Sequence, residues 1–308
     1  MVLLLKKFAA IAVALVAMCA SAAAQAQDQR SSQQDPDKSG TQQAQTPPSQ
    51  EAPTTTPQQV DDKPSGPPDK ETWQAPFGGT FTATFAFVTD YSYRGISQTQ
   101  RQVAGQMAFG YETAPVSEKV PLTAYLGAWG SSVYFPNTGT VAEIDLLTGL
   151  KFKALDDKLT FDLGYIRYNY LGAPSNLFYD FSEFGLVVGY DFGPAQLQGA
   201  VRYSPNFYAN SGIAWYKWGQ LTVPLPFINF NDNVAFKLFG TVGNQYVERF
   251  ANYGIAYDNY WDWQVGLTVT VYGFDLSVAY VDTNLGVAQC ANTMNCDARA
   301  IFTLSKTF

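Results

Sequence analysis

Apolar residues recur at every second position in a series of short segments that run from Gly78 to the end of the chain. A period of two is the repeat of a β-strand, because successive side chains of a strand point to opposite faces. We count about twelve such segments, each close to the roughly 9–11 residues that a tilted strand needs to cross a bilayer. The alternation therefore predicts an all-β chain.

The clearest segment, residues 143–153, shows what lies on the two faces. There, Ile144, Leu146, Leu150 and Phe152 alternate with Glu143, Asp145, Lys151 and Lys153. Four charges on one face of a strand cannot all contact lipid, so they require an aqueous interior. Charged residues make up 15% of the chain, below the roughly 25% of soluble proteins, which agrees with strands that are apolar on one face.

The connections between the segments alternate in length. Asp156-Asp157, Gly193-Pro194 and Tyr272-Gly273 are short turns, whereas residues 131–140 and 172–182 are long, polar connections. Short turns at one end and long loops at the other are typical of outer-membrane barrels. We therefore predict a closed antiparallel transmembrane β-barrel of about twelve strands over residues 78–308, in contact with outer-membrane lipids.

Residues 1–26 have the pattern of a cleaved signal peptide. Lys6 and Lys7 precede the apolar residues 8–18, and Ala24-Gln25-Ala26 is an A-x-A cleavage site. Residues 27–77 are rich in Gln, Pro, Ser and Thr, and we expect them to form a disordered tail because they have too little apolar surface to bury. An even number of strands places both termini on one side of the membrane, the periplasm of a Gram-negative-type envelope.

The second face of the predicted strands carries charges of both signs, which we expect to line the lumen. They are Asp90, Arg94, Glu112, Glu143, Asp145, Lys151, Lys153, Asp162, Glu183, Arg202, Lys237, Asp262 and Arg299. Such charges either fill a narrow barrel with ion pairs or line a water channel. Glycines on the same face, such as Gly149, Gly164 and Gly243, leave space and favour the channel.

Aromatic residues cluster near the ends of the predicted strands. We expect them to form the girdles that flank the apolar band of a membrane barrel at its two interfaces. They include Tyr91, Tyr93, Trp129, Tyr168, Tyr170, Trp215, Trp218, Tyr260 and Trp261. This interpretation places their rings on the outer surface.

The chain contains no histidine, which excludes Ser-His-Asp hydrolysis and histidine metal sites. We therefore expect no enzymatic activity, no cofactor and no bound metal. Glu143 and Asp145 could act as a carboxylate pair in acid–base chemistry, but ordinary lumen charge is the simpler interpretation. A net charge of −7 also argues against nucleic acid as a partner.

Two cysteines, Cys290 and Cys296, lie in the last long connection. An exported compartment permits disulfides, so we predict that this pair forms a small loop staple. Because the closed loop is short, the expected stabilisation is local and modest.

The first strand runs into the residues Thr89-Asp90-Tyr91-Ser92-Tyr93-Arg94-Gly95-Ile96-Ser97-Gln98. This run resembles the opening motif S-D-Y-x-x-R-G-x-S-Q of the TorF family, whose members are described as porins. The resemblance implies an outer-membrane barrel with a transport role and supplies no substrate. Asp90 and Arg94 share strand parity, so we expect both to face the lumen near the outer rim and to pair with charges on neighbouring strands.

The C-terminal residue, Phe308, ends a period-two strand. In that position it resembles the signal by which the barrel assembly machinery recognises its substrates. We therefore expect that machinery to be a partner of the chain.

Two functions remain open at this point. The first is a porin that allows passive diffusion of small polar solutes through a narrow lumen of mixed charge. The second is a non-conducting structural or adhesive barrel that acts through its extracellular loops. Conductance distinguishes them.

Overall fold

The structure, a computed structural model, describes residues 75–228 and 233–308. Twelve long strands form one closed antiparallel barrel, which confirms the predicted fold class and strand number. The predicted signal peptide, residues 1–26, lies outside the described residues. So does the predicted tail, apart from residues 75–77.

The barrel strands follow one another round the wall in chain order. They are β1 (Thr80–Val88), β4 (Ala104–Glu112), β5 (Leu122–Ser132), β6 (Ala142–Ala154), β7 (Leu159–Leu171), β8 (Phe181–Asp191), β9 (Gln196–Ser204), β10 (Ala214–Pro224), β11 (Val234–Val247), β12 (Asn259–Val271), β13 (Phe274–Thr283) and β14 (Arg299–Thr307). A two-stranded hairpin, β2 (Ser92–Tyr93) and β3 (Ile96–Ser97), lies between β1 and β4 in the chain.

The barrel closes where β1 pairs with β14, in the register Thr84↔Thr307 to Val88↔Thr303. The last residue extends this seam. The Phe308 N–H donates to the Ala83 carbonyl at 2.8 Å, and the Ala83 N–H donates to the Phe308 carbonyl at 3.1 Å. The C-terminus is therefore part of the closure.

The two ends of the barrel differ. One end, here called the turn end, carries the start of β1, the end of β14, the connections 113–121, 155–158, 192–195 and 272–273, and the connection between β10 and β11. The other, the loop end, carries the connections 89–103, 133–141, 172–180, 205–213, 248–258 and 284–298. The predicted alternation of short turns and long connections is therefore present, with two of the turn-end connections longer than the rest.

The helices of the described residues are short and lie outside the barrel strands, as does α1 (Phe250–Tyr253). In the described part of the chain, none of them is long and apolar enough to cross a membrane.

Large apolar side chains are exposed on the outside of all twelve barrel strands. Leu150, Leu163, Leu186 and Val201 form one row across four neighbouring strands, and Leu163 is 61% exposed. Its chain neighbour Asp162, which points inward, is 9% exposed. The alternation in the sequence therefore corresponds to an apolar exterior and a polar interior.

The hydrophobic core lies inside the loop end and is mainly aromatic. The predicted outer girdles were wrong for most of their members. Tyr91, Tyr93, Trp129, Tyr168, Tyr170, Trp218 and Tyr260 are buried, whereas Trp215 and Trp261 are exposed on the outside. The reason is strand parity, because Tyr168 is six residues from Asp162 and faces the same side of β7.

The space left by interior glycines is occupied by rings. A Cβ on Gly149 or Gly164 would lie 2.5–2.6 Å from the Tyr125 hydroxyl, and one on Gly243 would lie 2.1 Å from the Tyr216 hydroxyl. These glycines therefore admit aromatic side chains to the interior. The expectation that they leave open space for a channel was wrong at these three positions.

Candidate functional site

After Thr89, whose N–H still donates to the Phe302 carbonyl of β14 at 3.0 Å, the chain leaves the wall and enters the barrel. Residues 90–99, here called the inner hairpin, are all buried. Their backbone pairs in the registers Ser92↔Ser97 and Tyr93↔Ile96. The turn residues Arg94 and Gly95 have φ angles of 45° and 84°, the left-handed pair that tight hairpins use.

Successive residues of the inner hairpin contact successive parts of the wall. Tyr91 contacts β5 and β6 through Trp129 and Glu143, and Tyr93 contacts β7 through Tyr168. Arg94 contacts β8, β10 and β11. The Gly95 carbonyl accepts a hydrogen bond from Arg299 of β14 at 2.9 Å. The inner hairpin therefore spans the loop half of the barrel interior.

Gly95 is required by the close packing around it as well as by its positive φ angle. A Cβ at this position would lie 2.2 Å from Thr283 Cγ2 and 2.9 Å from Asp262 Cβ. The tip of the inner hairpin thus fits against β12 and β13 with no room for a side chain.

Arg94 is the charged residue through which the tip of the inner hairpin contacts the barrel wall. Its Nη2 lies 2.6 Å from Glu183 Oε2, and both side chains are 1% exposed. Its Cζ lies 4.2 Å from the Tyr93 ring centroid and 4.1 Å from that of Tyr216. Burial lowers the pKa of Arg94, but the charge of Glu183, the neighbouring Tyr93 and Tyr168 and the hydrogen bond to Glu183 together outweigh burial and raise the pKa well above the ordinary value. Arg94 is therefore cationic at every working pH.

Asp90 fixes the base of the inner hairpin. Its Oδ1 accepts hydrogen bonds from Ser97 Oγ at 2.6 Å and Thr99 Oγ1 at 2.8 Å, and its Oδ2 accepts one from Arg299 Nε. Because Arg299 belongs to β14, the neighbour of β1, the predicted pairing of Asp90 with an adjacent strand is present.

The corresponding prediction for Arg94 was wrong. Its partner Glu183 lies on β8, which is five strands from β1 when the strands are counted through β4 and seven when they are counted through β14. Asp90 and Arg94 do not share a strand, since β1 ends at Val88. A period-two pattern that continues past a strand end does not reveal that the chain has folded inward.

Two carboxyl groups of β6 lie beside the inner hairpin. Glu143 is fully buried and accepts a hydrogen bond from the Tyr91 hydroxyl at 3.1 Å. Asp145 is 4% exposed and lies two residues further along the same face. Asp262 of β12, on the far wall, accepts a hydrogen bond from the Tyr216 hydroxyl at 3.1 Å.

A second cluster of polar side chains lies in the turn half of the interior and is more accessible to water than the residues around the inner hairpin. Lys151 Nζ lies 2.6 Å from Glu112 Oε2 and 4.9 Å from the Tyr125 ring centroid. The Tyr125 hydroxyl donates to Asp162 Oδ1 at 2.8 Å. Arg202 is half-buried and lies against Gly185. The structure thus brings four of the predicted lumen charges, Glu112, Lys151, Asp162 and Arg202, to one side of the barrel.

The remaining predicted charges are more peripheral. Lys153 lies 3.9 Å from Asp157, and these side chains are 42% and 69% exposed, at the rim of the turn end. Lys237 lies 3.7 Å from Asp275. Among the described residues, no group of three or more His, Cys, Asp and Glu side chains is arranged to hold a metal ion.

Aromatic side chains that were not predicted from the sequence to line the interior complete the site. Tyr93, Tyr168, Phe207 and Tyr216 all contact the inner hairpin or its partners. For Tyr168 and Tyr216, a signal was present in their strand parity. For Phe207, which lies in a connection, no periodic signal exists.

Cys290 and Cys296 form the predicted disulfide. Both are buried in the loop-end core, and the connection that they close lies on the inner hairpin. The Ser97 N–H donates to the Asn295 carbonyl at 2.9 Å, and Arg101 donates to the Asp297 carbonyl at 3.0 Å. The disulfide therefore holds a loop that covers the inner hairpin.

Replacing both cysteines by serine should lower the free energy of unfolding by about 2 kcal/mol, because the short loop is no longer closed in the unfolded chain. Urea unfolding in detergent micelles measures this change, and hydrogen exchange of the Ser97 amide should become faster. Reductant should reproduce the effect in the native protein and have no effect on the double variant. Equal stability of the native protein with and without reductant would contradict the prediction.

A family model described as "Bacterial protein of unknown function (Gcw_chp)" matches residues 72–308, which include the whole barrel. It does not confirm the TorF resemblance. No curated protein matches the chain.

Several solved outer-membrane proteins are similar to the chain. LpxR from Salmonella typhimurium has a TM-score of 0.38 at 10% identity, over 74% of this chain and 99% of that one. An outer membrane channel from Pseudomonas putida has a TM-score of 0.39 at 11% identity, over 79% and 100%. The outer membrane channel DcaP of Acinetobacter baumannii has a TM-score of 0.33 at 10% identity, over 77% and 99%. Similarity of this degree carries no information about substrate or activity.

Proposed function

We propose that this chain, which belongs to the Gcw_chp family of bacterial proteins of unknown function, is a porin-like outer-membrane barrel that the inner hairpin keeps closed. Small polar solutes pass when the inner hairpin leaves the interior. The observation that carries this proposal is the complete burial of residues 90–99 inside a barrel whose other half is polar.

The outer surface supports the membrane location. Exposed large apolar side chains occur on every barrel strand, whereas soluble proteins rarely expose an apolar patch of more than a few hundred Å². The turn end, where β1 begins and β14 ends, then faces the periplasm, and the long connections face outward. In this proposal the barrel assembly machinery recognises Phe308, whose backbone pairs with Ala83 at the β1–β14 seam.

The polar interior supports small solutes as the cargo. The pair Lys151–Glu112 is partly exposed in the turn half, and Asp162 and Arg202 lie on the same side of the barrel. Together these four side chains carry two positive and two negative charges. A narrow lumen with balanced charge suits small polar solutes rather than one class of ion. A transport role also agrees with the resemblance of residues 89–98 to the TorF motif.

Liposome swelling tests this function. A variant in which residues 91–98 are replaced by a short Gly/Ser linker should let sugars and amino acids enter liposomes at least about tenfold faster than the native protein does, as expected when a plug that fills a barrel is removed. Folding of both proteins is checked by the heat-induced shift of their mobility in electrophoresis. A folded linker variant that admits no solute would favour the non-conducting structural or adhesive barrel instead.

A further inference from the structure

Four side chains, three from barrel strands and one from a connection, surround the guanidinium group of Arg94. Glu183 of β8, Tyr216 of β10, Gln245 of β11 and Phe207 of the connection 205–213 surround the guanidinium, and we call these four residues the guanidinium cage. Glu183 Oε2 lies 2.6 Å from Nη2, and Gln245 Oε1 accepts a hydrogen bond from Nη1. The Tyr216 and Phe207 ring centroids lie 4.1 Å and 5.8 Å from Cζ.

The acceptors of the guanidinium cage are oriented by the wall itself. The Tyr168 hydroxyl donates to Glu183 Oε2 at 3.1 Å. Gln245 Nε2 donates to the Tyr246 carbonyl at 2.9 Å, which leaves the amide oxygen turned towards the guanidinium. Both supporting groups belong to barrel strands, so neither depends on the inner hairpin.

The aromatic face is oriented in the same way. The Tyr216 hydroxyl donates to Asp262 Oδ1 at 3.1 Å. Gly243 provides the space for this ring, because a Cβ there would lie 2.1 Å from the hydroxyl oxygen. The guanidinium cage is therefore preorganised by β7, β8 and β10 to β12, and it should persist when Arg94 is absent.

The chemistry of the guanidinium cage selects a planar cation. A carboxylate and an amide oxygen accept the N–H groups, while an aromatic face lies against the plane of the ion. A guanidinium satisfies both requirements, since it is flat, always charged and weakly hydrated. An ammonium group has no plane to stack and is more strongly hydrated, so it should fit less well.

We propose that the guanidinium cage is a binding site for solutes that carry a guanidinium group, and that Arg94 is its built-in occupant. An incoming solute of this class competes with Arg94 for Glu183 and Gln245, and its binding favours the state in which the inner hairpin has left. This coupling follows because the solute binds only the state with a vacant site. The coupling to passage rests on the proposed function, whereas the binding site itself does not.

In the native protein the competition favours Arg94. A tethered group acts at a high effective concentration, so an external guanidinium ion must bind more weakly than it would to a vacant site. Removing the Arg94 side chain beyond Cβ should therefore reveal the site. Ethylguanidinium matches the fragment that the substitution Arg94→Ala removes.

The test measures binding of ethylguanidinium to purified proteins in detergent by calorimetry and by the shift in unfolding temperature. Arg94→Ala should bind it saturably, at least about tenfold more tightly than the native protein does, because the internal competitor is gone. Ethylammonium should bind at least about tenfold more weakly than ethylguanidinium. Glu183→Gln combined with Arg94→Ala should reduce the affinity by a similar factor of about ten or more.

A matched control is Arg167→Ala, which removes an arginine whose partner Asp180 lies 3.7 Å away and is 46% exposed. Because this variant keeps Arg94, it should bind ethylguanidinium no more tightly than the native protein does. If Arg94→Ala does not fold, the linker variant of residues 91–98 presents the same vacant site. A folded variant that binds ethylguanidinium no better than the native protein, or equally well without Glu183, overturns the inference. Binding of ethylguanidinium without passage of any solute would support the binding site and contradict the porin function. Passage of solutes without binding of ethylguanidinium would support the porin function and contradict the binding site.

Discussion

Arg94→Ala should lower the free energy of unfolding of the barrel by about 3–5 kcal/mol, the cost of leaving one partner of a buried ion pair without the other. The Arg94 and Glu183 side chains are each 1% exposed, so the substitution leaves the Glu183 carboxylate buried without its cation. The substitution also removes the cation that lies against the Tyr93 and Tyr216 rings. Equilibrium unfolding in urea, with the protein in detergent or lipid vesicles, measures the loss.

Two comparisons separate the buried charge from a general effect of losing an arginine. Arg167→Ala breaks an ion pair whose side chains are 39% and 46% exposed, and it should cost less than about 1 kcal/mol. Adding Glu183→Leu to Arg94→Met should restore much of the stability, because a buried pair can often be replaced by apolar residues at little cost. Equal losses for Arg94→Ala and Arg167→Ala would contradict the assignment of Arg94 to the interior.

Leu163→Arg should lower the free energy of unfolding in lipid by about 2–4 kcal/mol, the cost of a cation on the lipid face near the bilayer midplane. Leu163 is 61% exposed on β7 and is flanked in register by Leu150 and Leu186. Unfolding from lipid vesicles measures the effect. In a soluble barrel the same substitution would place a charge in water at little cost.

The control for this substitution is Gln198→Arg. Gln198 faces the interior of β9 and is half-buried in the polar turn half, so the new charge can remain hydrated. We expect a change of less than about 1 kcal/mol, as for most substitutions at polar, accessible positions. A larger loss for Gln198→Arg than for Leu163→Arg would reverse the assignment of the two faces.

The barrel itself could be predicted from the sequence because its determinants are local and repeated. Each strand shows its two faces within about ten residues, as Glu143 and Asp145 do against Ile144 and Leu146. A closed sheet with alternating connections then follows from the need to pair every edge. The same parity predicts that Tyr168 and Trp129 point inward. Their aromatic character instead suggested the outer girdles, and parity was the better guide.

The inner hairpin could not be predicted in this way. The polar residues 89–99 continue the alternation of β1, and only Gly95 signals a turn. The contact that holds the hairpin joins Arg94 to Glu183, 89 residues apart in the chain. No periodic or local pattern encodes a contact across the lumen, since it depends on the closure of the whole barrel.

The glycines illustrate the same limit. Gly149, Gly164 and Gly243 have no side chain on the interior face. From the sequence alone, this absence suggests open space. Whether water or a neighbouring ring occupies the space depends on side chains from other strands, here Tyr125 and Tyr216. Interior volume is therefore a property of the packed barrel and cannot be read from one strand.

Single-channel conductance in a planar bilayer tests most directly the claim that the inner hairpin closes the barrel. The native protein and the variant with a Gly/Ser linker in place of residues 91–98 are recorded side by side in potassium chloride. We predict long silent periods for the native protein and discrete steps that scale with salt concentration for the variant. Equal conductance of the two proteins, or a folded variant that stays silent, would show that the inner hairpin does not close the barrel.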